Sequence, residues 1–460
     1  MPGILPNSRL KELTRDWGCL SSVELYLESC QVDTPTSLVR STWDHVLKLR
    51  DFPGLVVDYG AGDGRFAHGG RYRRYVGFEV DEARSRHAEL PSNADLVNGC
   101  AFSAGPIAAD VCIGNPPFVR NQNLPSGWRL KASEVIHERT GVRLSGLANA
   151  WQYFFFLALA SVHDGGICAL VVPYEWVSRP SARQLREYIR AQGWTVSVYR
   201  LVDSTFSSVL TTASITIVDK ADRSGTWRFF EEDARGAYRE LPSATGHEAG
   251  ILHYLRRSEV DRRGPRAVRG LSPGTQRLLT LTEGERIHFG LSPGRDVVPC
   301  VTTLRNLPAD LARLDTDGFS RHYRNSGEKC WLVETGGEPA PALSRYLDSR
   351  PEAERQTATC LERKTWWRFS MPPVPSVLMA MSFRGPFPKF VENAVGARAV
   401  GGVCGIYDLN PGETAELAAA AAKVDLRQRV VAHSKGLHKI EINQLNAFLR
   451  GVLAARAAEA

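Results

Sequence analysis

The sequence predicts an α/β fold built on a mostly parallel sheet over about residues 54–220, and three features carry that reading. Short β-branched runs alternate with longer helical stretches across this span, as strand–helix–strand units do. A glycine-rich segment, VVDYGAGDGRF, closes the first run at the strand end outside which open sheets of this kind place their ligands. After Lys220 the alternation weakens and short strand-like runs mix with Pro/Gly turns, which reads as a separate α+β region.

Seven runs are the strand candidates: GLVVDYG from Gly54, YVGFEV from Tyr75, ADLVNGC from Ala94, ADVCIGNP from Ala109, GICALVVP from Gly166, TVSVYRLVD from Thr195 and ASITIVDK from Ala213. Between the fourth and fifth, LANAWQYFFFLALASVHDGG is long and poor in turn residues, so it predicts a buried helix stopped by Gly165-Gly166. Its phenylalanines, Phe154 to Phe156, read as core. Farther on, the stretch Arg256 to Arg269 is rich in arginine, suited equally to phosphate contacts and to a solvated helix face. Two GLSPG segments, at Gly270 and Gly290, read as separate turns. An alanine-rich helix is expected around Thr414 to Lys423 and a closing helix from Ile442. A chain of 460 residues exceeds what one core usually supports, so two domains are expected, at 1–240 and 241–460.

Composition narrows the function classes. A formal charge of +7 permits a polyanionic partner without requiring one. The nine cysteines are scattered and never spaced as CxxC, and the histidines form no HExxH pattern, so neither a disulfide framework nor a metal site is expected. The first residues lack a signal-peptide pattern, and the longest apolar stretch, Tyr153 to Val162, is too short to span a bilayer. A cytoplasmic protein without a membrane partner is the expectation.

Chemistry concentrates in three segments. Asp58 ends the first predicted strand, and Gly60, Gly62 and Gly64 follow, where glycines let backbone approach a bulky ligand. Glu79 ends the next strand, placed to accept the two hydrogen bonds of a ribose diol. Closing the fourth strand is Asn115-Pro116-Pro117-Phe118. The prolines stiffen this loop, so the Pro116 carbonyl and the Asn115 side-chain carbonyl form a pair of acceptors suited to a planar NH2 group. Phe118 offers a stacking face to the heterocycle bearing that amine.

In this ordered set the sequence resembles the TaqI-like gamma class of adenine-N6 DNA methyltransferases. Thr34-Pro35 resembles the family's upstream cofactor motif, and Asp58 to Gly64, Glu79 and NPPF follow in the family's order. GGICALVVPYEW and DSTFSSVLTTASITIV resemble its later strands, with Phe206 as the second aromatic around the target base. The resemblance covers about residues 30–220. It implies a Rossmann-like class I methyltransferase domain with a seven-stranded, mostly parallel sheet, followed by an α+β target-recognition domain. It further implies S-adenosylmethionine as cofactor, held by Thr34, Pro35, Asp58, Gly60, Gly62, Glu79, Val80 and Asn115, with Asn115, Pro116, Phe118 and Phe206 around a flipped-out adenine. Duplex DNA is the implied partner, with any cognate restriction endonuclease on a separate polypeptide.

One position departs from the family. Where an aspartate usually meets the cofactor adenine, this chain has Cys100, so the adenine contact must differ, or Asp95 or a backbone group must supply it, with Cys100 as a candidate wall. Segments near Trp366-Trp367 and the C-terminus resemble family recognition domains only loosely, and the two tryptophans read as structural. Three rivals remain open on the sequence: an RNA base methyltransferase, a protein-glutamine methyltransferase, which also uses NPP[FY], and a non-catalytic DNA-binding relative. N4-cytosine transfer is chemically close, but that class usually has serine or aspartate at the position of Asn115.

Overall fold

The computed structural model describes residues 33–202, 205–206, 211–248, 251–252, 264–434 and 436–459. Cys19, Cys30, Arg256, Arg257, Arg262 and Arg263 lie outside these. Two compact units are present, one holding the described residues of 1–250 with those of 431–436, the other those of 251–430 and 437–460.

The first unit is organised on a nine-stranded sheet. Its strands are β1 (Leu55–Tyr59), β2 (Arg74–Glu79), β3 (Ala94–Asn98), β4 (Ala109–Gly114), β5 (Val162–Pro173), β6 (Thr195–Arg200), β7 (Ala213–Asp219), β8 (Trp227–Glu232) and β9 (Tyr238–Leu241), in the order β3-β2-β1-β4-β5-β7-β6-β8-β9. The first five run parallel, and β7 is antiparallel to both β5 and β6. All seven expected runs are strands of this Rossmann-like sheet. The sheet is nevertheless larger than expected, because β8 pairs parallel with β6 and β9 pairs antiparallel with β8. β8 is mostly half-buried and half of β9 is exposed, so neither sequence shows the apolar-in, polar-out alternation that marks a strand.

Continuous burial explains the central strands. Val56, Val57, Val111, Ile113, Ala169 and Val171 are wholly buried, as strands covered on both faces must be. Helix α1 (Thr36–Leu49) buries Leu38, Val39, Trp43 and Val46, one stripe at three- to four-residue spacing. Trp43 also donates its indole N–H to the Phe66 carbonyl at 2.7 Å, tying α1 to the turn that follows the glycine segment.

Helix α2 (Ser126–Thr140) precedes the apolar helix α3 (Ala150–Ser161), and α4 (Arg183–Ala191) follows β5. A capping box between Asn149 and Gln152 starts α3. The glycine stop expected for α3 is not what ends it. The helix stops at Ser161, and β5 begins at the β-branched Val162, so Gly165 and Gly166 lie within the strand. Gly166 serves close packing, since a Cβ there would meet the Asp110 carbonyl at 2.6 Å. Phe155 and Phe156 are core as expected, whereas Phe154 is half-buried and faces a cavity.

The second unit is α+β. A five-stranded sheet orders Arg266–Arg269, Val403–Tyr407, Val377–Ala380, Phe390–Asn393 and Arg313–Leu314, and a four-stranded sheet orders Thr280–Leu281, Trp331–Val333, Val297–Val301 and Arg398–Ala399. Helices Pro411–Lys423 and Ile442–Glu459 stand where expected. Arg266 and Arg269 lie on a strand, paired with Asp408 and Glu441 respectively, so this end of the arginine-rich stretch is not a helix face. Trp367 belongs to the buried core of the unit, and Trp366 packs against that core beneath Arg355.

Candidate active site

At the carboxyl ends of the parallel strands a cavity of about 530 Å3 opens. Its described lining residues all belong to the first unit and include the β1, β2 and β4 ends, the start of α3 and the segment before α1. Of the residues singled out from sequence, Thr34, Gly60, Gly62, Glu79, Val80, Asn115, Pro116, Phe118 and Phe206 all line it. Pro35, Asp58 and Gly64 do not. Pro35 caps α1, its carbonyl accepting from the Leu38 and Val39 amides. Asp58 is fully buried behind the cavity.

Glu79 holds one side together. Its Oε2 accepts the Gly62 N–H at 2.7 Å and its Oε1 accepts the Asp81 N–H at 2.8 Å, which fixes the carboxylate across the ends of β1 and β2. Gly62 reaches this arrangement with φ +60°, a backbone region that glycine adopts without a Cβ penalty. Each carboxylate oxygen keeps lone-pair capacity beyond its backbone bond, so a diol at the cavity wall can still donate to it.

Asn115 holds the other side. Its Nδ2 donates to Thr34 Oγ1 at 3.1 Å, which fixes the plane of the amide. Its Oδ1 is shielded from water and has no hydrogen-bond partner among the described residues. A buried carbonyl left in this way costs about 1–3 kcal/mol unless a donor reaches it. The adjacent Pro116 has no N–H to offer, and Phe118 and Phe206 contribute the aromatic walls. A planar NH2 group on a flat ring satisfies the carbonyl and the stacking faces together.

Arg65 keeps Thr34 in place. Its guanidinium donates to the Thr34 carbonyl at 3.1 Å and pairs with Asp33 at 2.9 Å and Asp63 at 2.8 Å. Arg84 also pairs with Asp33. The Asp33-Thr34 segment is therefore clamped to the glycine segment, a link that joins residues some thirty apart and that no local pattern announces. Phe154, Trp128 and Arg120 also line the cavity without having been singled out. Cys100 is indeed a wall, whereas Asp95 pairs with Arg74 and is not among the lining residues.

Burial dominates the electrostatics behind the cavity. The Asp58 carboxyl is pushed up to about 7, chiefly by its burial; the hydroxyl of Tyr75, donating at 2.7 Å, opposes this, and the nearby charge of Glu79 adds to it. Among the described residues no cluster of His, Cys, Asp or Glu is arranged to hold a metal ion, and no helix is long and apolar enough to cross a membrane.

Comparison with known proteins shows what the chain is similar to. Residues 94–205 match the Eco57I restriction-modification methylase family. A type II methyltransferase of Thermus thermophilus is 29% identical over 181 residues, 37% of this chain and 40% of that protein. The chain thus spans about two fifths of that relative's length. The type IIL restriction-modification enzyme MmeI, solved in complex with DNA, superposes with a TM-score of 0.57 over 98% of this chain and 69% of that one, at 12% identity. That likeness is one of fold. The sequence resemblance is to the methyltransferases of restriction-modification systems.

Proposed function

We propose that this chain, a relative of restriction-modification methyltransferases, transfers a methyl group from S-adenosylmethionine to the N6 amine of an adenine within a specific duplex DNA sequence. The carbonyl of Asn115, without a partner among the described residues and fixed by Thr34 beside two aromatic walls, is the observation that carries this reading. Bound S-adenosylmethionine supplies an electrophilic methyl on a positively charged sulfur. Glu79 would hold its ribose, and Gly60, Gly62 and Val80 would shape the wall against it.

The chain's own residues do the rest. The N6 amine is a poor nucleophile because its lone pair is delocalised into the ring. Asn115 Oδ1 and the Pro116 carbonyl accept its two N–H bonds, which draws the nitrogen toward tetrahedral geometry and frees the lone pair. As positive charge grows on nitrogen, these fixed acceptors stabilise the transition state more than the neutral ground state. Phe118 and Phe206 sandwich the base, and such stacking, about 1–3 kcal/mol per base, offsets much of the cost of flipping it from the duplex.

Residues 241–460 serve in this reading as the target-recognition domain, since groove contacts over several base pairs need a surface beyond the catalytic sheet. In this reading the enzyme works in the cytoplasm. The test is to incubate the protein with S-adenosylmethionine and unmethylated DNA, digest to nucleosides and identify the product by mass spectrometry. N6-methyldeoxyadenosine is the expected product; N4-methyldeoxycytidine, or transfer to RNA or protein alone, overturns the assignment.

A further inference from the structure

Among the described residues three arginines line the cavity, and they differ in one respect. Arg65 is paired with Asp33 and Asp63, and Arg84 with Asp33. Arg120 is exposed, and its guanidinium makes no ion pair or hydrogen bond with any described residue. The acid nearest in role, Glu175, lines the same cavity but is engaged by Arg179 at 3.3 Å.

The backbone that carries Arg120 is pinned on both sides. The Val119 carbonyl accepts the Ala150 N–H at 2.9 Å, and the Asn121 N–H donates to Asn149 Oδ1 at 3.0 Å. Arg120's own carbonyl accepts the Asn123 N–H at 2.9 Å, closing a short 3-10 turn. Asn149 and Ala150 begin α3, so the loop after Phe118 is anchored to the helix packed on the sheet. A cation with no partner among the described residues, on an anchored loop at the rim of a cavity whose other described arginines are already neutralised, is arranged for an anion from outside the chain.

We infer that Arg120 binds a backbone phosphate of the nucleotide whose base enters the cavity. The inference rests on the function proposed above and adds the group that holds the flipped nucleotide by its backbone. A base seated against Phe118 leaves its phosphates at the rim, and Arg120 follows Phe118 by two residues, at most about 7 Å of chain. The phosphate contact carries no sequence information and fixes the register of the strand at the cavity. The other anion that could reach this rim is the carboxylate of the cofactor, and the two sources give opposite signatures.

The experiment uses the full chain, unmethylated plasmid DNA and S-adenosylmethionine, comparing wild type with Arg120→Ala and Arg120→Lys. Steady-state methyl transfer gives KM for DNA and kcat, calorimetry gives cofactor affinity, and fluorescence anisotropy gives DNA binding between about 50 and 200 mM salt. For Arg120→Ala we expect KM for DNA to rise about tenfold, the larger share of the loss lying in KM, and the log–log salt slope of binding to fall by about 0.9. Arg120→Lys should recover most of the affinity, because a phosphate accepts an ammonium nearly as well. Cofactor affinity should not move. A loss of cofactor affinity with DNA binding intact assigns the guanidinium to the cofactor carboxylate and overturns the inference, as does an unchanged salt slope. Should wild type bind DNA yet methylate no adenine, the proposed function fails, while the salt slope still decides the role of Arg120.

Discussion

The side-chain amide of Asn115 donates to the hydroxyl of Thr34 at 3.1 Å, across 81 residues of sequence, and this single bond orients the carbonyl assigned to the target amine. In the proposed reaction Thr34 therefore acts through Asn115 as a positioning residue. Replacing it with valine keeps the shape and removes the acceptor. We expect Thr34→Val to lower methyl transfer at least tenfold, about 1.4 kcal/mol in the barrier, and Thr34→Ser to restore most of it. Equal losses in Thr34→Val and Thr34→Ser would show that the methyl group, not the hydroxyl, matters.

Glu79 is expected to govern cofactor affinity. Its carboxylate is fixed by the Gly62 and Asp81 amides and faces the cavity. Glu79→Ala should weaken S-adenosylmethionine binding by about 1.5–3 kcal/mol, read by calorimetry, because a charge-assisted contact is lost and the glycine segment is released. An unchanged dissociation constant contradicts the assignment.

Much of this was legible in the sequence, and what was missed has physical reasons. Short β-branched runs alternating with helical stretches give away strands of such a sheet, so the seven strands from Leu55 to Asp219 are readable. Chain stiffness and donor chemistry make the NPPF loop readable, and Asn115, Pro116 and Phe118 do line one cavity. The clamp from Arg65 to Asp33 and Thr34 was not readable, since an arginine beside an aspartate in sequence carries no hint of a partner more than thirty residues away. Phe154 was read as core because a helix apolar all round does not reveal which of its faces meets a cavity. Asp58 shows a further limit: the carboxyl end of a strand is a place, and whether a side chain there points at the ligand or into the core depends on packing, here against Tyr75 and Gly114.

The Asp58 carboxyl should leave a signature in stability. Its folded-state pKa, about 7, lies above the ordinary value of 3.8, so the neutral acid is what the fold accommodates. The stability it contributes is full below about pH 3.8 and is lost as the pH rises toward 7, at no more than about 1.4 kcal/mol per pH unit. Asp58→Asn is always neutral. Urea unfolding should thus show the variant gaining on wild type between about pH 5 and pH 7, and a constant difference would refute the raised pKa.

Gly114 is constrained by the same carboxyl. Its φ is +155°, and a Cβ there would sit 2.2 Å from Asp58 Oδ1. Gly114→Ala is expected to destabilise the protein by more than about 2 kcal/mol, measured as a lowered urea midpoint. Because the clash is with Asp58, the double variant Gly114→Ala/Asp58→Ala should recover part of the loss. Strict additivity of the two changes would place the strain elsewhere.

The central claim is that the Asn115 carbonyl accepts the amine that is methylated. Its most direct test is Asn115→Ala, with methyl transfer to DNA followed by nucleoside mass spectrometry and cofactor affinity followed by calorimetry. We expect a loss of N6-methyldeoxyadenosine formation of at least about a hundredfold, near 2.7 kcal/mol, with cofactor affinity changed by no more than about threefold. A variant that keeps more than about a tenth of wild-type turnover, a loss below roughly 1.4 kcal/mol, contradicts it.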